Sequence, residues 1–486
     1  MNFFGNRWIQ LSALTTFLAF IGINALRLKY CVIDYDLWWH LKVGDWIVRH
    51  LAVPHTGILS RTVAARPWVA YSWGYEVLLS KAYGWFGLAG VGILGTLLTV
   101  GVAYCAYWMV RRISGRFWLA LVLAGLACSA FLFNGMPRPV FFSMMLYSVT
   151  LGIVFQAQQS GRVELLYWLP PIMTLWANLH IQFIYGLFAV GLFVGVNVAQ
   201  DLLTSAGFAP AFLRLRAFPA RPMLAILGLC AVATVIGPNF YHPYLAALAY
   251  AKSKYSYKII MELQPLSFRD VGNFTELFLG AAGFYAVGWR KQIDPFRLLL
   301  LVVASAVAFR TMRDAWFLVF SASACLADFP AREENRSHEN SWSELALCSG
   351  ALALLLMFAA PLLHFDARGI DRAISADYPV NAINYLRREG FSGPLYNNLN
   401  WGGFLMWYLP ELPVAVDGRN DLYGDDLDQV FYESQSAYPS YASDPYLADS
   451  RLVILDSKLP LAKALATDGR FALAYRDDIA TVFVRR

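Results

Sequence analysis

Apolar residues in this chain gather into blocks of about 20, set apart by short polar loops, and that pattern limits the fold more than any other feature. A backbone amide left unpaired in hydrocarbon costs several kcal/mol, so a block of this length crosses a membrane as a helix or as part of a closed barrel. Barrel strands alternate apolar and polar positions, and these blocks do not. The expected fold class is an α-helical polytopic membrane protein. Of the 486 residues, 58% are hydrophobic and 15% charged, with a mean hydropathy of +0.47. A soluble domain has about 45–50% apolar and about 25% charged residues.

Roughly 11 spans of about 20 residues are predicted. They lie near residues 8–28, 86–110, 117–134, 139–157, 163–178, 181–200, 222–237, 273–289, 296–312, 314–328 and 343–363. Residues 73–84 read as a shorter amphipathic approach segment, and the two blocks flanking Trp176–His180 read equally as one broken helix. The first block follows Arg7 without a small-x-small cleavage site after it, so it is expected to be a retained span or signal anchor.

Charge divides the chain at about residue 365. Residues 1–365 carry 27 Lys and Arg against 16 Asp and Glu, whereas residues 366–486 carry 12 against 17. The basic part suits anionic lipid headgroups or phosphates, with membrane lipids rather than nucleic acid as partners. The acidic part suits a water-facing module. Two domains follow: a membrane domain over 1–365 and a small α/β domain over 366–486. The six cysteines, Cys31, Cys105, Cys128, Cys230, Cys325 and Cys348, all precede that boundary and show no CxxC or Cys/His zinc spacing.

Orientation is read from lysine and arginine close to helix ends. Tight clusters at Arg111/Arg112/Arg116, Arg214/Arg216/Arg221, Arg290/Lys291/Arg297 and Arg332/Arg336 fall on one side with Arg7, taken as cytoplasmic. Raw counts on the two sides are level, so the assignment rests on proximity to the helix ends. With an odd number of spans the C-terminal domain is then extracytoplasmic. His40, His50, His55, His180, His242 and His364 share that outer side with the longer loops 29–72 and 238–272. A site in this protein is expected to face outward from an inner membrane.

The first outer loop carries Asp34-Tyr-Asp36-Leu-Trp-Trp-His40, and Asp36 and His40 share one helical face. Two carboxylates and an imidazole after a span could serve as general base and divalent-metal ligands, with Asp36 and His40 the metal pair. The bland alternative is an interfacial helix whose charges meet water. Arg138, His180, Glu262, Arg310 and Arg313 stand at outer helix ends. Ionisable groups near membrane depth usually face a cavity or partner, and arginine there can clamp a phosphate. Snorkelling to the interface is the alternative. Gly90-Val-Gly-Ile-Leu-Gly95 fits G-x-G-x-x-G but lies inside an apolar block, where close helix packing explains it better than nucleotide binding.

The C-terminal residues read as helix 379–390, strand 393–397, helix 401–409, strand 413–416, helix 426–434, strand 452–455, helix from 460, and strands 471–475 and 481–484. Trp401 opens a dense aromatic patch, and Asp417 and Arg419 would follow the carboxyl end of a strand, where binding groups gather in such sheets. A turn held by an Asp–Arg pair is the equal alternative.

The string Asp34-x-Asp36-Leu-Trp-Trp-His40-Leu resembles that of bacterial polytopic membrane proteins related to the GT-C glycosyltransferases. Trp-Ala-Asn-Leu-His180, Trp401-Gly-Gly-Phe-Leu-x-Trp and Pro-Val-x-x-Asp417-Gly-Arg419 look similar to the same group. The resemblance implies a polyprenyl-phosphate-linked sugar donor and an essential acid in the first outer loop, which places Asp36, with Asp34, as the catalytic carboxylate. The patch from Trp401 also resembles the WWDYG region of oligosaccharyltransferase catalytic subunits, but Gly402 and Gly403 follow a single tryptophan here. His40, Arg138, His180, Glu262, Arg310, Arg313, Trp401, Asp417 and Arg419 then become candidate substrate contacts. Two rivals stand beside this expectation. A transporter of lipid-linked substrates would favour internal repeats, and none is evident. A non-catalytic membrane scaffold would not need Asp36.

Overall fold

A computed structural model describes residues 6–26, 32–131, 138–208, 213, 218–329, 342–362 and 367–486. Cys31, Arg214, Arg216, Arg332, Arg336, His364 and the boundary near residue 365 lie outside the described residues. The protein is mostly helical and spans the membrane several times, with a small mixed sheet near its C-terminus. Each predicted apolar block carries a helix. Among the described residues, Arg7–Ala25, Trp73–Ser114, Val140–Ser160 and Phe183–Ser205 are long and apolar enough to cross a membrane, and shorter apolar helices accompany them. The approach segment 73–84 is continuous with the following helix, which kinks at Gly87, where φ is +60°. Glycine meets that backbone without a Cβ penalty. The blocks around Trp176 form two helices, Leu169–Leu179 and Phe183–Ser205, separated at His180 by extended backbone (φ −163°, ψ 142°).

The chain divides into two compact units. The first comprises Met1–Leu26, Gly95–Tyr241 and Met261–Leu363, and the second Arg27–Leu94, His242–Ile260 and His364–Arg486. In the first, helix Ala315–Ala327 buries 12 of its 13 residues, as expected of a helix apolar on every side. Helices Val271–Gly288 and Pro295–Arg310 pack against it. A Cβ on Gly280 would lie 3.2 Å from Leu318, and one on Gly283 would lie 3.1 Å from Ala322. Small residues let helices approach closely where water supplies no driving force between them.

Arg297 is buried in the same unit. It pairs with Asp294 at 3.3 Å and with Asp328, which also takes Arg290, while Gln158 donates to Asp294 at 2.8 Å. Two arginines that entered the orientation count are thus engaged by internal carboxylates, which removes them as free topology signals and leaves that assignment resting on the other clusters.

The second unit carries four strands, β1 (Leu395–Asn397), β2 (Leu452–Asp456), β3 (Phe471–Arg476) and β4 (Ala480–Arg485), in the order β1-β2-β4-β3. β1 and β2 run parallel, and the other two pairings are antiparallel, with an irregularity between Leu473 and Tyr475. The expected strand at 413–416 is not part of the sheet. Val414 forms an isolated bridge with Ser60 instead, because segment 58–62 reaches that backbone: Arg61 N donates to Val414 O at 3.0 Å, and Ser60 and Thr62 donate to Ala415 O. Asp417 and Arg419 therefore do not follow a strand of the sheet. The described residues 32–72 of the first long loop are built into this unit. Arg61 bonds Asp449, Ser450 and the carbonyls of Leu395 and Tyr446 at 2.8–3.2 Å, and Arg66 pairs with Asp426 at 2.8 Å.

Candidate functional site

In the second unit, Asp34 caps helix Tyr35–His50 by accepting from the Asp36 amide at 3.2 Å. A carboxylate there satisfies one of the helix's open N–H groups. Asp36 occupies the first turn, where the helix dipole favours negative charge. Asp36 is half-buried rather than simply immersed in water: its Oδ1 accepts from Trp39 Nε1 at 3.0 Å. A Cβ on Gly418 would fall 2.3 Å from that oxygen, so only glycine lets this backbone lie against the carboxylate. Four residues on, His40 is buried, stacked on Trp39 with ring centroids 3.5 Å apart, and its Nδ1 faces Glu76 at 3.2 Å. No group of three or more His, Cys, Asp or Glu able to hold a metal ion occurs among the described residues.

Trp401 is buried, and the two glycines after it have a packing reason. A Cβ on Gly402 would stand 2.1 Å from Val416 O, and one on Gly403 would stand 2.7 Å from Trp39 N. Gly403 thus lets helix Gly402–Tyr408 lie flush on helix Tyr35–His50, and Gly402 lets it lie against the backbone at Val416 and Asp417. Asp417 and Arg419 are completely buried. Arg419 donates to Asp417 from Nε and Nη2 at 2.8 Å each and to Ile58 O at 2.8 Å, and Tyr423 donates to Asp417 at 2.7 Å. The guanidinium lies 4.9 Å over the Trp68 ring. Protein groups engage Arg419 through Nε and Nη2, whereas its buried Nη1 has no hydrogen-bond partner among the described residues.

The sequence reading missed the acids that follow. Trp68 donates to Asp421 at 3.0 Å, and Asp425 accepts from Ser253 and from the amides of Lys254 and Tyr255. Asp428 is fully buried, and neither carboxyl oxygen has a hydrogen-bond partner among the described residues. Burial, reinforced by Asp421, Asp425 and Asp426 and only partly relieved by Arg66, pushes its carboxyl up to about 8. In the unfolded chain an Asp releases its proton near pH 4. Between about pH 4 and the folded value of about 8 the native state holds the extra proton, so stability falls as pH rises through that window. Asp428→Asn keeps the neutral shape and should lessen the drop in Tm between pH 5 and pH 8. Thermal unfolding of both proteins at the two pH values checks this, and an unchanged drop would remove Asp428 as its source.

In the first unit, the structure gathers Arg138, His180, Glu262 and Arg313. Arg138 pairs with Glu262, which lies in the turn Met261–Leu263. Burial alone would raise the Glu262 carboxyl, but Arg138 and Arg313 outweigh it and hold it below the usual range. Arg313 also acts electrostatically on His180. Gln182 and Thr311 donate to Asp314 at 2.7 and 2.8 Å, fixing the turn that carries Arg313. Arg310 is the exposed last residue of helix Pro295–Arg310. Asn178 bonds the carbonyls of Thr174 and Ile236, both at 2.8 Å, and so acts as a packing residue. Ser143, which carries no sequence signal of its own, touches His180 directly, and Trp176, the first residue of the Trp-Ala-Asn-Leu-His180 string, reaches it through Ser143.

No family model matches the chain, and no curated protein matches it. Among solved structures, the crystal structure of the Archaeoglobus fulgidus oligosaccharyltransferase in the apo form is similar at a TM-score of 0.55 and 13% identity. The match covers 94% of this chain and 70% of that one. ArnT from Cupriavidus metallidurans, crystallised bound to undecaprenyl phosphate, matches at a TM-score of 0.47 and 13% identity, covering 98% and 97%. The first similarity shows a GT-C-like fold.

Proposed function

We propose that this protein is a membrane glycosyltransferase that moves a sugar from a polyprenyl-phosphate-linked donor to an acceptor outside the cytoplasm. The observation that carries the reading is Asp36. In a GT-C-like fold, it offers a half-buried carboxylate in a helix's first turn, oriented by Trp39 and by the Gly418 backbone. Asp34 and Asp417, by contrast, are buried in a cap and an ion pair. Asp36 would take the proton of the acceptor as it attacks the sugar's anomeric carbon, and the bond to the donor phosphate would break.

Within the first unit, the polar group around Glu262 suits a phosphate. Arginine matches phosphate oxygens bidentately; Arg138 pairs with Glu262, and the Arg313 charge acts on the same carboxyl. A divalent cation at Asp36 would need donor phosphate oxygens to complete its shell, as magnesium commonly does, and no step here depends on one. The C-terminal domain is read as extracytoplasmic. A cysteine placed at an exposed position there should react with an impermeant thiol reagent on intact cells, and labelling only after lysis would reverse the orientation.

The direct test is sugar transfer by purified protein from a set of polyprenyl-phosphate and polyprenyl-diphosphate sugars, with glycan analysis of a deletion strain to choose the sugar. Transfer from one donor is the expected result. No transfer from any, with normal glycans in the deletion strain, would favour a scaffold.

A further inference from the structure

Three side chains of the first unit form a hydrogen-bond chain whose polarity can be worked out. Trp176 Nε1 lies 2.7 Å from Ser143 Oγ, and Ser143 Oγ lies 2.8 Å from His180 Nδ1. Trp176 and Ser143 are completely buried, and His180 is 1% exposed. An indole N–H can only donate, so Ser143 accepts from Trp176 and has one hydroxyl proton to place. Were the His180 proton on Nδ1, it would occupy the other side of the same oxygen. The Ser143 hydroxyl would then have no acceptor among the described residues. Leaving a buried donor unmade carries its full desolvation penalty. Donation from Ser143 to Nδ1 satisfies every member, and the imidazole proton must then sit on Nε2.

The chain is held firmly. A Cβ on Gly186 would meet the Trp176 ring at 2.3 Å, so helix Phe183–Ser205 fits closely against the indole only at a glycine. The Tyr147 ring packs edge-on, with centroids 6.4 Å apart. His180 sits in the extended break between two helices. Its Nε2 makes no hydrogen bond among the described residues, and the Arg313 charge acts on the same ring. An N–H on a nearly buried ring, without a hydrogen-bond partner among the described residues and within the field of a guanidinium, suits an incoming oxyanion.

We propose that Ser143 and Trp176 are positioning residues that hold His180 as its neutral Nε2–H tautomer and present that N–H to the phosphoryl oxygen of a bound phosphate. The proposal rests on the phosphate-binding role given to this group above. It adds a residue pair and a protonation state that the general reading does not require.

Selective ¹⁵N-histidine labelling of the full chain in nanodiscs tests it, with His180→Gln assigning the signals. In the wild type at pH 7, His180 Nδ1 should show the shift of an unprotonated nitrogen and Nε2 that of a protonated one. Ser143→Ala should turn this into a tautomer mixture, and Ser143→Thr should restore the single form. A wild-type proton on Nδ1, or an imidazolium, would overturn the relay whatever the variants do. Titrating inorganic phosphate and, separately, a polyprenyl monophosphate should move the Nε2 signal. A response to both identifies the phosphoryl group itself, and a response to the lipid alone identifies a membrane-held headgroup. No response to either would overturn the oxyanion role. Binding of the responding probe should weaken roughly 2- to 10-fold in Ser143→Ala, the worth of one neutral hydrogen bond. These readouts need no turnover, so an absence of sugar transfer would count against the proposed function while leaving the tautomer result intact.

Discussion

Asp36→Asn should lower sugar transfer by roughly 10²- to 10⁴-fold, the usual loss when a general base is removed, while the protein stays folded. Asparagine suits the site sterically: its carbonyl oxygen can still accept from Trp39 Nε1, as Asp36 does at 3.0 Å, and it brings no added bulk toward Gly418. What disappears is the negative charge and the ability to take a proton. Asp45→Asn is the matched control on the same helix. Asp45 pairs with Arg49 at 2.9 Å, and the Arg49 side chain is 71% exposed, so the bond holds the two charges at the surface. Such pairs contribute about 0.3–0.5 kcal/mol. The control should transfer sugar at close to the wild-type rate. Measured turnover of Asp36→Asn equal to wild type would sink the mechanism, and an equal loss in Asp45→Asn would point to the helix rather than to the carboxylate.

How far this arrangement was legible beforehand depended on the range of each interaction. The spanning helices were visible because each block announces itself over about 20 consecutive residues. The sheet strands β1, β2, β3 and β4 were visible because apolar runs between turn residues are local signals too. The stretch 413–416 looks the same locally, yet its backbone partner is segment 58–62, more than 350 residues away. Nothing in Pro413-Val-Ala-Val416 says whether it will pair with a strand or with a distant loop. His40 offers the same lesson. Its spacing from Asp36 suggested a shared site, but its Nδ1 turned to Glu76, 36 residues on. Ser143 sits in an apolar helix where one hydroxyl reads as packing. Only the positions of Trp176 and His180 give it a direction.

Asp417 and Arg419 carry the other large expected effect, on stability rather than on turnover. A D-x-R spacing suits a phosphate clamp and a structural turn equally, and burial separates the two. Both side chains are 0% exposed, and Asp417 receives the Arg419 amide, Nε and Nη2 together with the Tyr423 hydroxyl at 2.7–3.0 Å. Arg419→Met removes the cation and leaves a buried carboxylate whose charge nothing adjacent neutralises. Breaking one side of a buried pair typically costs about 3–5 kcal/mol, enough to threaten a fold whose whole margin is about 5–15 kcal/mol. Asp417→Asn with Arg419→Met removes both charges and keeps an acceptor for Tyr423 and the Arg419 amide. The double variant should therefore recover part of the loss, and the two changes should be strongly non-additive, as in any directly coupled pair. Thermal unfolding in detergent reads all three variants. Were the pair a substrate clamp instead, Arg419→Met would unfold near the wild-type temperature and lose donor or acceptor binding, and the double variant would recover nothing.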